Sequence, residues 1–392
     1  MTDINKSKSV FTVLFITVFL DLLGFTIVIP YLFFYAQSLG ASEFTFGLLL
    51  TSYSLMQFIF TPIWGRLSDR YGRRPILLIS LLGSGISLLI FGLASSIWLL
   101  FASRMVAGIM GSTINVAQAY VTDITAPDAR MKSMGLLGAA FGLGFILGPA
   151  IGGTLSGLYG YAIPSFVASA LAFANFILAY FRLPESRVFS ENNAVKKESP
   201  MSLKEKGLYL LLAVFFSFTM AFVFMETTFA PFAQIVFHYG PFETGLLFFY
   251  VGVVSVITQA AMIPILSKKC LPQTLLLMGL VSLCFGLTGL ALSTSLPGLL
   301  ISTALMAFGG GLVNPSVSTL ISLKSSALEQ GESLGIGQSV SSLARVVSPS
   351  MGTYVDEFGI SFGVRGMAFY AASAIILITL PAALVLWRQK EE

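Results

Sequence analysis

Four ionisable side chains stand where an apolar sequence should not hold them. Asp21, Arg104, Glu226 and Arg345 each interrupt a run of about 20 mainly apolar residues, long enough to cross a bilayer. A charge near the bilayer centre costs from about 2.5 kcal/mol upward, so such a residue is kept for a task. A carboxylate loads and releases protons when one environment favours its neutral form and another its ionised form, and a chain that alternates between two conformations supplies both. Asp21 or Glu226 is therefore expected to bind a proton, with Arg345 or Arg104 as the switching partner. Structural ion pairing is the alternative for the same four residues.

Other chemistry finds little material. His238 titrates near neutral pH by type, but it sits beside Tyr239-Gly240-Pro241 and reads as a solvated turn residue. Gly142-x-Gly144 has no third glycine at the right spacing, no lysine and no preceding strand, so it does not read as a phosphate loop. Cys270 and Cys284 are too few for a disulfide framework or, with one histidine, for a His/Cys metal site. No nucleophile and base are paired, so no enzyme, cofactor or metal is expected.

The elements that position the charges follow from composition. Of 392 residues, 56% are hydrophobic and 10% charged, against about 25% charged in a soluble domain. Lipid must face much of the surface. Twelve segments are expected to span it, at 10-35, 46-64, 75-95, 97-121, 133-158, 162-182, 207-237, 244-265, 273-294, 296-322, 332-357 and 364-387. The first is too long for a signal-peptide core and holds Asp21 in its middle, roughly 15 to 17 Å along the helix, so it reads as retained. All but Arg104, Arg345 and Arg365 of the 22 basic residues fall in the termini and the even-numbered loops. Positive loops stay cytoplasmic, so both termini are expected inside. The net charge of +4 thus reports topology, and nucleic acid is not an expected partner.

Residues 183-206 are rich in Ser, Glu, Lys and Asn and divide the spans six and six. This reads as a cytoplasmic linker between an N-terminal bundle, 1-182, and a C-terminal bundle, 207-392. Ser133, Gly135, Pro149 and Gly152 recur as Ser333, Gly335, Pro349 and Gly352, while Pro30 has Pro231 and Asn115 has Asn314. A nearly constant offset across several helices implies duplicated six-helix halves.

The loop after the second segment reads Gly65-Arg66-Leu67-Ser68-Asp69-Arg70-Tyr71-Gly72-Arg73-Arg74-Pro75. Its glycines let the chain turn tightly, and one acid amid four arginines can latch neighbouring helix ends. The fifth segment contains Gly144-x-x-x-Gly148-Pro149-x-x-Gly152-Gly153, small residues that let helices approach around a bend. The fourth has Arg104-x-x-x-Gly108-x-x-Gly111, and the first Asp21-Leu22-Leu23-Gly24 before Pro30. Together these motifs resemble the major facilitator superfamily, in particular its drug/proton antiporter branch and the twelve-helix tetracycline/proton exporters. The resemblance implies an all-α membrane fold of two pseudo-symmetric six-helix bundles. It also implies a proton-transfer role for Arg104, a latch in which Asp69 holds the start of the eleventh helix near Gly331-Glu332-Ser333, and a pair between Arg73 and Asp123. The second half's counterpart loop keeps only the basic pair Lys268-Lys269.

One departure narrows the substrate. The tetracycline exporters carry an acid in the third helix where this chain has Ser87, which argues against a metal-chelated tetracycline. The helices expected to line the cavity offer Phe25, Tyr31, Asn115, Gln118, Tyr120, Phe222, Phe224, Glu226, Phe229, Phe308 and Asn314. Aromatic walls with a few amides and an acid suit lipophilic, in part cationic compounds better than sugars. The expectation is a monomeric, proton-coupled exporter of such compounds in a cytoplasmic membrane, with a sugar or metabolite symporter or facilitator as the alternative. A receptor would have no use for a complete latch together with intramembrane charges.

Overall fold

The computed structural model describes residues 2–125, 130–186, 208–324 and 330–388. Among these the chain is helical, in the order α1 (Thr2–Ser38), α2 (Glu43–Tyr71), α3 (Arg73–Gly92), α4 (Ile97–Met110), α5 (Thr113–Ile124), α6 (Arg130–Tyr159) and α7 (Ala162–Arg182) for the first half. The second half runs α8 (Leu208–Phe237), α9 (Pro241–Ile257), a π-turn (Thr258–Met262), α10 (Ile263–Leu266), α11 (Pro272–Leu292), α12 (Leu296–Lys324), α13 (Gln330–Ser361) and α14 (Met367–Arg388). Most of the linker, 187-206, lies outside the described residues.

Among the described residues eleven spans are long and apolar enough to cross a membrane. They include α4 with α5 as one crossing, Ile97–Ile124, and α9 through α10 as another, Pro241–Leu266. The twelfth long helix is α13, which carries Arg345, Asp356 and Glu357 and is less apolar for it. Three spans differ from the sequence expectation. The second runs on through 65-71, so the stretch expected as a loop is helical except at Gly72, whose φ of 105 separates α2 from α3. The fourth is not a continuous helix over 97-121, because Gly111 and Ser112 leave helical geometry (φ/ψ −74/50 and −108/0). The eighth starts earlier, at Pro241, and widens into the π-turn before Pro264.

The helices gather into two compact units. The first holds Met1–Ser42, Ser52–Val195 and Tyr239–Phe249; the second holds Glu43–Thr51, Lys196–His238 and Tyr250–Glu392. In the first half α1 packs on α6 and α7, and α3 on α4 and α7. The second half repeats this, with α8 on α13 and α14, and α11 on α12 and α14. The same pairing in each half gives physical form to the recurring Gly and Pro positions.

Lipid is as apolar as leucine, so helix association rests on close packing and interhelical hydrogen bonds. In the first unit Leu14, Leu22, Leu77, Leu81, Val116 and Val121 form the buried core. Asn175 of α7 donates to Thr17 O of α1 at 2.9 Å, and Ser169 of α7 to Gly85 O of α3 at 2.8 Å. In the second unit Asp356 accepts the Ala368 N–H at 3.1 Å, capping the start of α14.

The antiporter-type motif on α6 is a packing face. A Cβ at Gly148 would overlap the Thr26 hydroxyl, and one at Gly152 would overlap the Ile27 carbonyl of α1. Thr26 Oγ1 lies 2.8 Å from Gly144 O, closing the same contact with a hydrogen bond. On the adjoining face Gly153 meets the first turns of α9, where a Cβ would stand 2.6 Å from Pro241 O.

Candidate functional site

Asp21 lies in the middle of α1, and its immediate neighbours are hydroxyls. Ser84 Oγ of α3 donates to Asp21 Oδ1 at 3.2 Å, and Thr113, the first residue of α5, faces the same carboxylate. Asp21 forms no ion pair among the described residues. The break between α4 and α5 places Thr113 there, and α2 braces the break. Trp64 Nε1 donates to Ile109 O, and Gln57 Nε2 donates to Gly111 O at 3.2 Å. These carbonyls lose their helical partners at the break, and inside a membrane each must find another. Ser80 and Ser112 hydroxyls, 2.6 Å apart, join α3 to the same point.

Among the described residues Arg104 has no carboxylate partner. Its guanidinium lies 4.6 Å above the Phe91 ring, with Tyr31 and Tyr53 nearby, Ser103 Oγ at 3.4 Å, and a buried Nε that makes no hydrogen bond. A desolvated cation over an aromatic face is worth about 2 kcal/mol, so Phe91 substitutes for an acid here. Among the described residues no ion pair forms at Arg104. Glu226 differs: the charge acting on it is Arg345, from α13 of the same unit.

The cavity residues proposed from sequence divide by burial. Tyr31, Tyr120, Phe224 and Phe229 are buried in helix packing and present no open surface. Tyr31 shares a 2.8 Å hydrogen bond with Ser165, and Tyr120 donates to Pro184 O at 2.6 Å. Large aromatics with a polar tip fill helix contacts as readily as cavities, which is why the sequence could not separate them. Asn115, Gln118 and Asn314 are exposed, while Phe25, Phe222, Glu226 and Phe308 are half-buried. Exposed amides on spanning helices are costly against lipid and belong on a wetted face. His238 is exposed at the end of α8 with φ 57.

The arginine-rich stretch where α2 meets α3 builds a second cluster. Arg73 bridges Asp69 (Nη1 to Oδ1, 2.6 Å) and Asp123 (Nε to Oδ2, 3.0 Å), and it also donates to Ser68 Oγ at 2.7 Å. Arg70 stands apart, over the ring of its neighbour Tyr71. Gly331, Glu332 and Ser333, proposed to meet Asp69, have side chains outside the described residues.

Sequence reasoning missed Glu185. Its carboxylate accepts the backbone N–H groups of Arg73 at 2.8 Å and Arg74 at 3.1 Å, capping α3 from the first residues of the linker. Gly72 permits this with φ 105 and with no side chain to collide with Glu185. Ser186 Oγ adds a 3.2 Å bond to Asp123. The available signal was an acid at the linker's start, 112 residues distant from its partners and legible only in three dimensions. Glu185→Ala is expected to cost about 0.5–2 kcal/mol, the usual range for a lost cap. Thermal unfolding of the purified variant checks this, and Gly72→Ala should cost at least as much because it adds strain at a positive φ.

Eleven apolar spans and the long helix α13 in two repeated bundles, with uncompensated charge in mid-membrane and no folded domain outside it among the described residues, define a polytopic membrane transporter. The family model for the Major Facilitator Superfamily matches residues 14–349, and the chain belongs to that superfamily. It is 28% identical over 374 residues to the class B tetracycline resistance protein of Escherichia coli, covering 92% of this chain and 93% of that one. The Escherichia coli class C protein is 30% identical over 390 residues, covering 96% and 97%. Multidrug resistance protein 2 of Bacillus subtilis (strain 168) is 28% identical over 404 residues, covering 99% and 98%. Among solved structures, the human organic anion transporter MFSD10 (TETRAN) matches with a TM-score of 0.72 at 23% identity, covering 96% of this chain and 99% of that one. A bacterial homolog of the human lysosomal transporter Spinster matches at 0.79 and 14% identity, covering 97% and 96%. The protein is therefore a multi-pass membrane transporter of small molecules.

Proposed function

We propose that this transporter is a proton-coupled antiporter that exports small lipophilic, in part cationic compounds by alternating access. The observation that carries the reading is Asp21, an acid in mid-membrane with hydroxyl partners and no countercharge among the described residues. A carboxylate so placed exchanges a proton without breaking an ion pair. Resistance proteins among the relatives, and the Gly148-Pro149-x-x-Gly152-Gly153 face, support export over import.

In this reading Asp21 and Glu226 carry protons. Arg345 acts as the switching cation for Glu226, and Arg104 supplies positive potential to the first unit. Phe25, Asn115, Gln118, Phe222, Glu226, Phe308 and Asn314 line the substrate path. Asp69, Arg73 and Asp123, with Gly65, Gly72 and Arg74, form the latch, to which we add Glu185. The bundles are 1-182 and 207-392, joined through 183-206, with both termini in the cytoplasm and the chain a monomer in the cytoplasmic membrane. Ser87 is buried and donates to Ser84 O at 2.9 Å, so it offers a chelated metal no carboxylate.

Everted membrane vesicles test the proposal. With an acid interior imposed, a fluorescent lipophilic cation should accumulate inside and a protonophore should release it. Accumulation of a sugar instead, or uptake of the cation indifferent to the gradient, would reject the export reading.

A further inference from the structure

We propose that Gln57 and Trp64 of α2 are positioning residues for the proton step at Asp21: they hold the fourth span broken, and the break holds the Thr113 hydroxyl on the carboxylate. The inference rests on the reading of Asp21 as the proton-carrying acid and names the side chains that set its surroundings.

The first observation is the pair of carbonyls at the break. In a continuous helix Ile109 O would accept the Thr113 N–H and Gly111 O the Asn115 N–H. Here Ile109 O takes the Trp64 indole N–H, and Gly111 O takes the Gln57 amide at 3.2 Å. Each α2 side chain thus occupies an acceptor that rewinding needs. The chain between them is held as well. Ser112 N–H bonds Met110 O at 2.8 Å, and its hydroxyl meets Ser80 at 2.6 Å. A Cβ at Gly108 would overlap the Tyr53 carbonyl, so α2 is seated directly on α4 just before the break. All of these residues belong to the first unit.

The second observation is Thr113, which follows the break. It is 2% exposed, its Oγ1 makes no bond within its own helix, and it is a hydrogen-bond partner of the Asp21 carboxylate. A helical threonine commonly donates to the carbonyl four residues back. For Thr113 that carbonyl is Ile109 O, the one Trp64 holds. Trp64 therefore does two things: it blocks rewinding and it denies the hydroxyl its local acceptor. Asp21 is the acceptor left to it.

Nothing else charged competes for Asp21. On the elements packed against α1 the charged residues stand at helix ends: Arg73 and Arg74 open α3, Arg130 and Lys132 open α6, and Asp123 and Arg182 close α5 and α7. Arg104 lies on α4. Among the described residues none pairs with Asp21, so its two hydroxyl partners decide how well the ionised form is held.

The test follows Asp21 itself, by infrared difference spectra of the purified full chain with isotope-labelled aspartate and no drug. The carboxyl band lost in Asp21→Asn reports the proton. Thr113→Val, which removes the hydroxyl and keeps the shape, should move the pH at which this band is half-formed by about one unit, the scale of one hydrogen bond to a charged acceptor. Gln57→Leu and Trp64→Phe should each move it in the same direction by at least half as far. Either one combined with Thr113→Val should move it no further than Thr113→Val alone, because all act through one hydroxyl. Trp64→His, which keeps an N–H donor, should stay closer to the parent than Trp64→Phe. A merely structural brace would lower the thermal midpoint of the α2 variants and leave the band in place. That result, or shifts that add in the combined variants, would overturn the inference, and either α2 variant decides it if the other fails to fold. A parent whose Asp21 binds its proton but which does not exchange drug for protons rejects the export reading alone. One that does exchange them, with a band unmoved by the α2 variants, rejects this positioning alone.

Discussion

Asp21→Asn is expected to abolish uphill transport while the protein remains folded. Asparagine keeps the side-chain shape and the contact with Ser84, so the helix packing around it is preserved. What it loses is the exchangeable proton. One pH unit is worth about 1.4 kcal/mol per proton, so a gradient of two units sustains about a hundredfold accumulation for one proton exchanged. The variant should therefore fall to about onefold, with substrate only equilibrating, as measured by accumulation of a labelled lipophilic cation in everted vesicles. Glu226→Gln is expected to leave the fold intact as well: Glu226 is half-buried, Arg345 is exposed and the two form no ion pair among the described residues, so the change should stay within about 1 kcal/mol by thermal unfolding. Retention of gradient-driven accumulation by Asp21→Asn would move the coupling away from α1.

The second large effect is structural. Gly152→Val is expected to prevent the assembly of α1 with α6, because even a Cβ at that position overlaps the Ile27 backbone carbonyl, which cannot rotate away. Overpacking of a well-filled contact costs about 1–3 kcal/mol where neighbours can shift, and here the neighbour is main chain. Separating the helices would also break the Thr26 bond to Gly144 O. Yield of monodisperse protein and its thermal midpoint measure this, with Gly138→Ala as the control. Gly138 is exposed on the same helix and a Cβ there meets nothing within 4 Å, so that change should stay within about 0.5 kcal/mol. The motif's glycines act through contact in this account, and a well-folded Gly152→Val would refute it.

Much of the fold was legible because lipid imposes a simple rule on sequence: apolar runs of fixed length, with basic residues between them. The spans, the repeat and the arginine loop all follow from that rule. Where it was silent, the sequence reading erred. The break at Gly111-Ser112 carries a helix-stop glycine and a capping serine, but the span is apolar on both sides and hydropathy does not register a two-residue interruption. Burial of Tyr31 and Tyr120 was equally hidden, since a phenol can bond Ser165 or Pro184 from inside a bundle as well as line a cavity. Glu185 reaches α3 across a long loop of sequence, a contact that no local pattern encodes. The intramembrane acids were found because their cost is local, whereas their partners were not. Ser84 and Thr113 look like ordinary small residues until the fold sets them beside Asp21.

The central claim is that drug and protons exchange through this chain in opposite directions. Internal pH of proteoliposomes holding the purified protein, made acidic inside and then given a lipophilic cation outside, tests it most directly. The account predicts alkalinisation of the lumen that requires the compound and disappears in Asp21→Asn. Entry of the compound with no proton movement, or with protons moving in the same direction, would contradict it.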